Sequence, residues 1–183
     1  MRILVFALVT AAIAVAGCTE VSQPPTSGDA ALADSADQVF FDVRYMLTES
    51  GIKRGQLFAD SLFVFGDQSR FVLRRVRANF STETGLPNGT LRGDRGTYDL
   101  RTQILEGFGN VVVTSTDGRK LTSNHLKYTQ SRNEISSDSA YVLVRGSDTQ
   151  RGIGFISDPN LNEFRCLRSC GGSGLVPIGI PQR

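Results

Sequence analysis

The chain has 183 residues, 40% of them hydrophobic and none of them tryptophan, with a formal net charge of +2. That is apolar material for one folded domain, and too small a charge excess for a nucleic-acid footprint, so no nucleic-acid partner is expected. From residue 38 onward 19 basic groups, 16 of them arginine, stand against 14 acidic ones; a solvated surface accounts for such an excess, or it favours an anionic lipid or sugar-phosphate partner.

Residues 1–17 read as an export signal. Arg2 precedes an apolar run from Ile3 to Ala16, shorter than the roughly 18 residues that a spanning helix needs. The charged start and apolar centre are those of a secretory leader. Its end, Val15-Ala16-Gly17-Cys18, resembles a bacterial lipobox. That resemblance implies cleavage before Cys18, lipidation of Cys18 and attachment to a membrane through the N-terminal lipid. By the enterobacterial sorting habit, the non-Asp residue Thr19 points to the outer membrane. Residues 18–37 are rich in Ser, Pro, Ala and Asp and read as a flexible, disordered tether.

Strand signals dominate from Val39 onward, with candidates at 39–47, 56–65, 70–80, 90–99, 103–114, 119–128, 133–145 and 151–157. Turn residues separate them, among them Ser50-Gly51, Gly66-Asp67, Asn88-Gly89, Asp117-Gly118 and Gly146-Ser147. Four of the candidates carry one eight-residue pattern, starting at Leu57, Leu91, Leu121 and Ile135. It runs aliphatic, any, small, Asp or Asn, any, apolar or Gly, any, large apolar. The first and third positions share one parity, and the sixth and eighth share the other. Alternate residues of a strand face one side, so a parity switch at the small-Asx pair predicts a bulge or corner after which the same face resumes. Asp60, Asp94, Asn124 and Asp138 occupy the Asx position, where a side chain can bond the freed backbone.

Four such bent strands predict one curved all-β sheet, over residues 38–165, with a single apolar inner face. The residues expected on that face are Leu57, Leu62, Val64, Leu91, Tyr98, Leu105, Val111, Val113, Leu121, Leu126, Tyr128, Ile135, Val142 and Val144. Alternation alone does not separate a filled core from a groove that accepts acyl chains.

Catalytic signals are weak. His125 is the one histidine and sits at a predicted bend, and no nucleophile elbow, zinc-protease motif or P-loop is present. An enzyme is not expected, nor a cofactor or metal site: two thiols and one distant histidine do not complete a tetrahedral set. With Cys18 lipidated, Cys166 and Cys170 are left as an even pair, open to disulfide formation in an oxidising envelope. They begin a tail, 166–183, whose glycines and prolines forbid a regular interior strand throughout. The tail is either disordered or laid along a sheet edge.

The runs Leu91 to Asp99, Leu105 to Val113, Asp117-Gly118, Leu121 to Tyr128 and Asn133 to Asp138 together resemble the LptC family of lipopolysaccharide-export proteins, and equally its LptA (OstA-like) relatives. The resemblance covers most of 40–160. It implies a twisted, open β-jelly roll with an apolar groove for lipid A acyl chains. It also implies docking by open edge strands, the N-terminal edge on the inner-membrane lipopolysaccharide ABC transporter and the C-terminal edge on an LptA-like periplasmic β-jelly roll. The chain would then be periplasmic and anchored at the inner membrane. The alternative, which Thr19 raises, is an outer-membrane lipoprotein that uses the same fold as an envelope assembly module. A lipid where LptC carries a transmembrane helix is a departure from the family pattern, and so is the cysteine-bearing tail.

Overall fold

The computed structural model of the protein describes residues 32–66 and 69–173. The expected signal peptide, Cys18 and the tether as far as residue 31 lie outside the described residues, as do residues 174–183 of the tail. Residues 32–37 do not continue the tether as a coil. They form a helical turn at 32–35, and Asp37 then joins the end of the second strand: its N–H donates to the Val64 carbonyl at 2.9 Å, and its carboxylate accepts from the Gly66 N–H at 2.6 Å.

Among the described residues nine strands follow: β1 (Gln38–Glu49), β2 (Ile52–Val64), β3 (Arg70–Ser81), β4 (Pro87–Asp99), β5 (Ile104–Thr114), β6 (Lys120–Thr129), β7 (Glu134–Arg145), β8 (Asp148–Ser157) and β9 (Arg165–Ser173). They form one sheet in chain order, every neighbouring pair antiparallel. Among the described residues, β1 and β9 are its edges.

The turns follow from local chemistry. Ser50 and Gly51 both have positive φ, 49° and 81°, between the paired Glu49 and Ile52; two left-handed residues give the turn whose twist matches that of the flanking strands. Gly146, with φ 58°, opens the two-residue turn between Arg145 and Asp148. The Asp117-Gly118 hairpin has a five-residue loop, closed by the Ser115 N–H donating to the Arg119 carbonyl at 2.9 Å.

The sheet bends along a line that crosses every strand, and the bend lies at the small-Asx positions of the repeat. Asp42, Arg75, Asn110, Gly154 and Ser169 on β1, β3, β5, β8 and β9 have positive φ along this line. Inward positions lie three residues apart across it in β2 (Ala59, Leu62), β3 (Leu73, Val76), β4 (Gly93, Gly96) and β6 (Ser123, Leu126). They lie four apart in β5 (Gly107, Val111) and β7 (Ser137, Tyr141). A step of three flips parity and a step of four keeps it. Neighbours with unequal steps must therefore slip register by one, and β4–β5, β5–β6 and β6–β7 each do so at the bend.

This geometry corrects two expectations. Val142 and Val144 do not face inward: β7 crosses the bend in a step of four, so Tyr141 and Leu143 take the inner positions. Val142 is half-buried on the outer face and Val144 is 38% exposed, whereas Leu143 is wholly buried. The sheet also runs past the expected boundary at 165: β9 pairs with β8, so residues 166–173 of the tail lie along the sheet edge, the second of the two alternatives expected for it. Gly172 fits there: a Cβ on it would press within 2.9 Å of the Gln150 backbone.

Candidate functional site

Inward side chains line up in rows that cross the strands. Below the bend one row runs Ala78, Leu91, Val113, Leu121 and Leu143, each opposite the next. Above it another runs Phe71, Tyr98, Leu105, Tyr128 and Ile135. The bend brings the two halves face to face, with the Phe80 and Tyr128 rings 4.4 Å apart. Gly96 and Gly107, paired on β4 and β5 beside the bend, leave room there; a Cβ on Gly96 would press the Glu106 carbonyl at 2.9 Å and the Val76 side chain at 3.1 Å.

Leu57, Leu62, Val64, Leu91, Tyr98, Leu105, Val111, Val113, Leu121, Leu126, Tyr128 and Ile135 are all buried in one continuous cluster. Leu47, Leu73, Val76, Ala78, Phe80, Tyr141, Leu143, Phe155 and Leu161 belong to it as well and were missing from the expected set. The parity change Phe71/Leu73 to Val76/Ala78/Phe80 in β3 carries the signal for four of these, Leu73, Val76, Ala78 and Phe80, with Phe71 half-buried against the cluster. Each fully buried leucine is worth about 1.5–3 kcal/mol relative to exposure, so the cluster is the main source of stability.

Every member of this cluster is uncharged. Burial pushes the Tyr98 hydroxyl up to about 12 and raises Tyr128 as well. Both phenols are therefore neutral at any ordinary pH. Their hydroxyls point to a polar seam at one end: Tyr98 donates to Gln130 Oε1 at 3.3 Å, and Tyr128 to Asn133 Oδ1 at 3.3 Å. Gln130, wholly buried, donates its Nε2 to the Thr48 carbonyl at 2.6 Å and so ties the β6–β7 turn to β1.

The other end is closed by the loop between β8 and β9. Leu161 inserts into the cluster. Arg119 donates to the Leu161 carbonyl at 2.7 Å and to Asn162 Oδ1 at 2.6 Å, while Asn160 Oδ1 accepts from the Thr116 N–H at 2.7 Å. Asp117 orients Arg119 at 2.8 Å. The Arg119 hydrogen bond, helped by the Ser115 hydroxyl, holds the Asp117 carboxyl down at about 2, below its ordinary 3.8. A carboxyl lowered on folding contributes stability that is present above its unfolded pKa and lost as pH falls through the folded one. Asp117→Asn is therefore expected to flatten the fall in urea midpoint between about pH 4 and 2; an unchanged slope would place the acid sensitivity elsewhere.

The repeat's small residues, more than its Asx residues, satisfy the bend's backbone. Ser123 Oγ donates to the Ala140 carbonyl at 2.9 Å and Ser137 Oγ to the His125 carbonyl at 2.7 Å. Asp60 instead pairs with Arg75, and Asp94 accepts from Asn110 Nδ2 at 2.7 Å. His125 lies on the outer face, stacked on Phe108 with ring centroids 4.9 Å apart and flanked by Glu106 at 3.6 Å and Asp138 at 3.8 Å. Cys166 and Cys170 are bonded to each other and straddle Ser169 on the edge strand, their Cα atoms 6.0 Å apart.

Comparison with curated proteins gives no match. Among solved structures, the chain is similar to LptH, the LptA-homologous periplasmic component of the conserved lipopolysaccharide transport device from Pseudomonas aeruginosa. The two share 17% identity with a TM-score of 0.48, over 62% of this chain and 81% of that one. Residues 4–168 match the family described as lipopolysaccharide-assembly, LptC-related, and the chain belongs to that family.

Proposed function

We propose that this protein is a membrane-tethered periplasmic segment of the lipopolysaccharide export bridge. It receives lipopolysaccharide from the inner-membrane ABC transporter and passes it to an LptA-like β-jelly roll. The observation that carries the reading is the uncharged inner face, which continues from Leu47 on β1 to Phe155 on β8. Such a face attracts acyl chains at roughly 0.8 kcal/mol per buried methylene and has no charged anchor to arrest them. The two halves of the sheet part to admit the chains, and the sugars stay outside. The open edges β1 and β9 offer unpaired backbone to the neighbours: the exposed Phe40 and Phe41 lie on β1, and the exposed Leu167 lies on β9. No catalysis is involved, and the driving energy comes from the transporter. Cys18 carries the lipid anchor, which holds the domain at the inner membrane.

The test is photocrosslinking in cells, with a photoreactive residue at Val113 or Tyr128 and the outward Val144 as control. Lipopolysaccharide adducts are expected at the two inner positions only, and only while ATP is available. No adduct from a folded protein located at the inner membrane would make the inner face a plain core. Thr19 favours a second reading, an outer-membrane lipoprotein acting as an assembly module, and membrane fractionation separates the two.

A further inference from the structure

One row of the outer face, below the bend, sets arginines against each other and against a phenylalanine. Across β1 to β4, Arg44 stands opposite Phe58, Phe58 opposite Arg77, and Arg77 opposite Arg92. The Arg44 guanidinium lies 5.4 Å over the Phe58 ring. Arg77 and Arg92 are both exposed and directly opposed, an arrangement in which like charges repel. The acids nearby do not relieve them. Asp60 is paired with Arg75, Asp94 accepts from the neutral Asn110 amide and keeps its charge at the bend, and Arg77 and Arg92 have no carboxylate partner among the described residues. The two arginines flank a cleft of about 510 Å³ across the bend, which Asp60, Asp94 and Val112 also line.

Two guanidinium forks on one side of a cleft match the oxygens of a phosphate, and the repulsion between them falls when an anion sits between. The inner face of the same sheet is where acyl chains would lie, so a glycolipid held there has the sheet between its phosphates and this row. We infer that the outer row Arg44, Phe58, Arg77 and Arg92 docks on the phosphate headgroups of an anionic phospholipid surface, laying the back of β1 to β4 against the membrane. The inference concerns the face opposite the proposed lipid path and rests on that reading only for the presence of a membrane nearby.

Arginine-selective dicarbonyl modification, read peptide by peptide by mass spectrometry, tests this on the full chain as matured in the envelope. The protein is placed with vesicles of phosphatidylcholine, alone or mixed with phosphatidylglycerol. Modification of Arg77 and Arg92 is expected to slow by about fivefold on the anionic vesicles, the attraction of one arginine to such a surface, while the exposed Arg132 at the β6–β7 turn keeps its rate. Equal rates on the two vesicle types overturn the proposal. So does protection by soluble glycerol phosphate or by lipopolysaccharide on neutral vesicles, which would make the cleft a small-anion or cargo site. The comparison stands whether or not the N-terminal lipid inserts, and vesicle flotation records that separately.

Discussion

Leu143→Ala is expected to lower the stability of the domain by about 2–5 kcal/mol, the range for emptying a well-packed leucine site, whereas Val144→Ala is expected to cost within about 0.5 kcal/mol. The two residues are neighbours with similar side chains, so propensity and sequence context nearly cancel between them. What separates them is the face. Leu143 is wholly buried opposite Leu121, which is itself opposite Val113. Val144 is 38% exposed. Urea unfolding of the two variants reads the difference directly. If Val144→Ala were the damaging change, β7 would cross the bend in a step of three, and the alternation expected from its repeat would hold after all.

The same pair shows how far the sequence carries. Strand positions, the bend and most of the inner face are legible because apolar alternation reports the face, and the small-Asx pair reports where it breaks. The number of residues spent in the break is not legible. Ser123-Asn124-His125-Leu126 and Ser137-Asp138-Ser139-Ala140 have the same pattern, yet β6 takes a step of three and β7 a step of four. In β7 the sixth position is Ala140, too small to hold the face against Tyr141, whose ring meets Phe155 at 5.5 Å and Phe164 at 5.1 Å. The outcome is thus decided by partners from β8 and the following loop, not by β7 itself. β9 escaped for a different reason. Its Gly171 and Gly172 argue against a strand by propensity, but an edge strand has one neighbour, and Gly172 lets that neighbour approach closely. Leu161 was missed because it lies in a loop with no period to expose it.

Gly89→Ala is expected to cost about 1–3 kcal/mol, the scale of a strained backbone position, and to loosen the closed end of the interior. Gly89 has φ 94° and is buried at the start of β4. A Cβ there would run into the Pro159 carbonyl oxygen and would also lie 3.2 Å from the Thr114 carbonyl oxygen. Both are backbone atoms and cannot swing aside. Pro159 belongs to a loop that is braced internally: the Asp158 carboxylate accepts from the N–H groups of Asn162 at 2.6 Å, Glu163 at 2.9 Å and Asn160 at 3.2 Å. The loop would therefore shift as a unit, carrying Leu161 out of the cluster and breaking the Thr116–Asn160 and Arg119–Leu161 hydrogen bonds. Hydrogen exchange at the Thr116 amide, which donates to Asn160 Oδ1, should rise accordingly, while the Leu161 amide, bonded within the loop to the Asp158 carbonyl, reports whether the loop moves as a unit. Gly118→Ala is the control, because Gly118 has nearly the same φ, 88°, with nothing within 4 Å of an added Cβ; it should cost only the left-handed penalty of roughly 1–2 kcal/mol and leave the Thr116 amide protected. Equal exchange in the two variants would mean that the loop does not seal this end. If the interior does take up acyl chains, an unsealed end is where they would meet water, so Gly89→Ala should also let photocrosslinker at Val113 react with solvent at the expense of lipid.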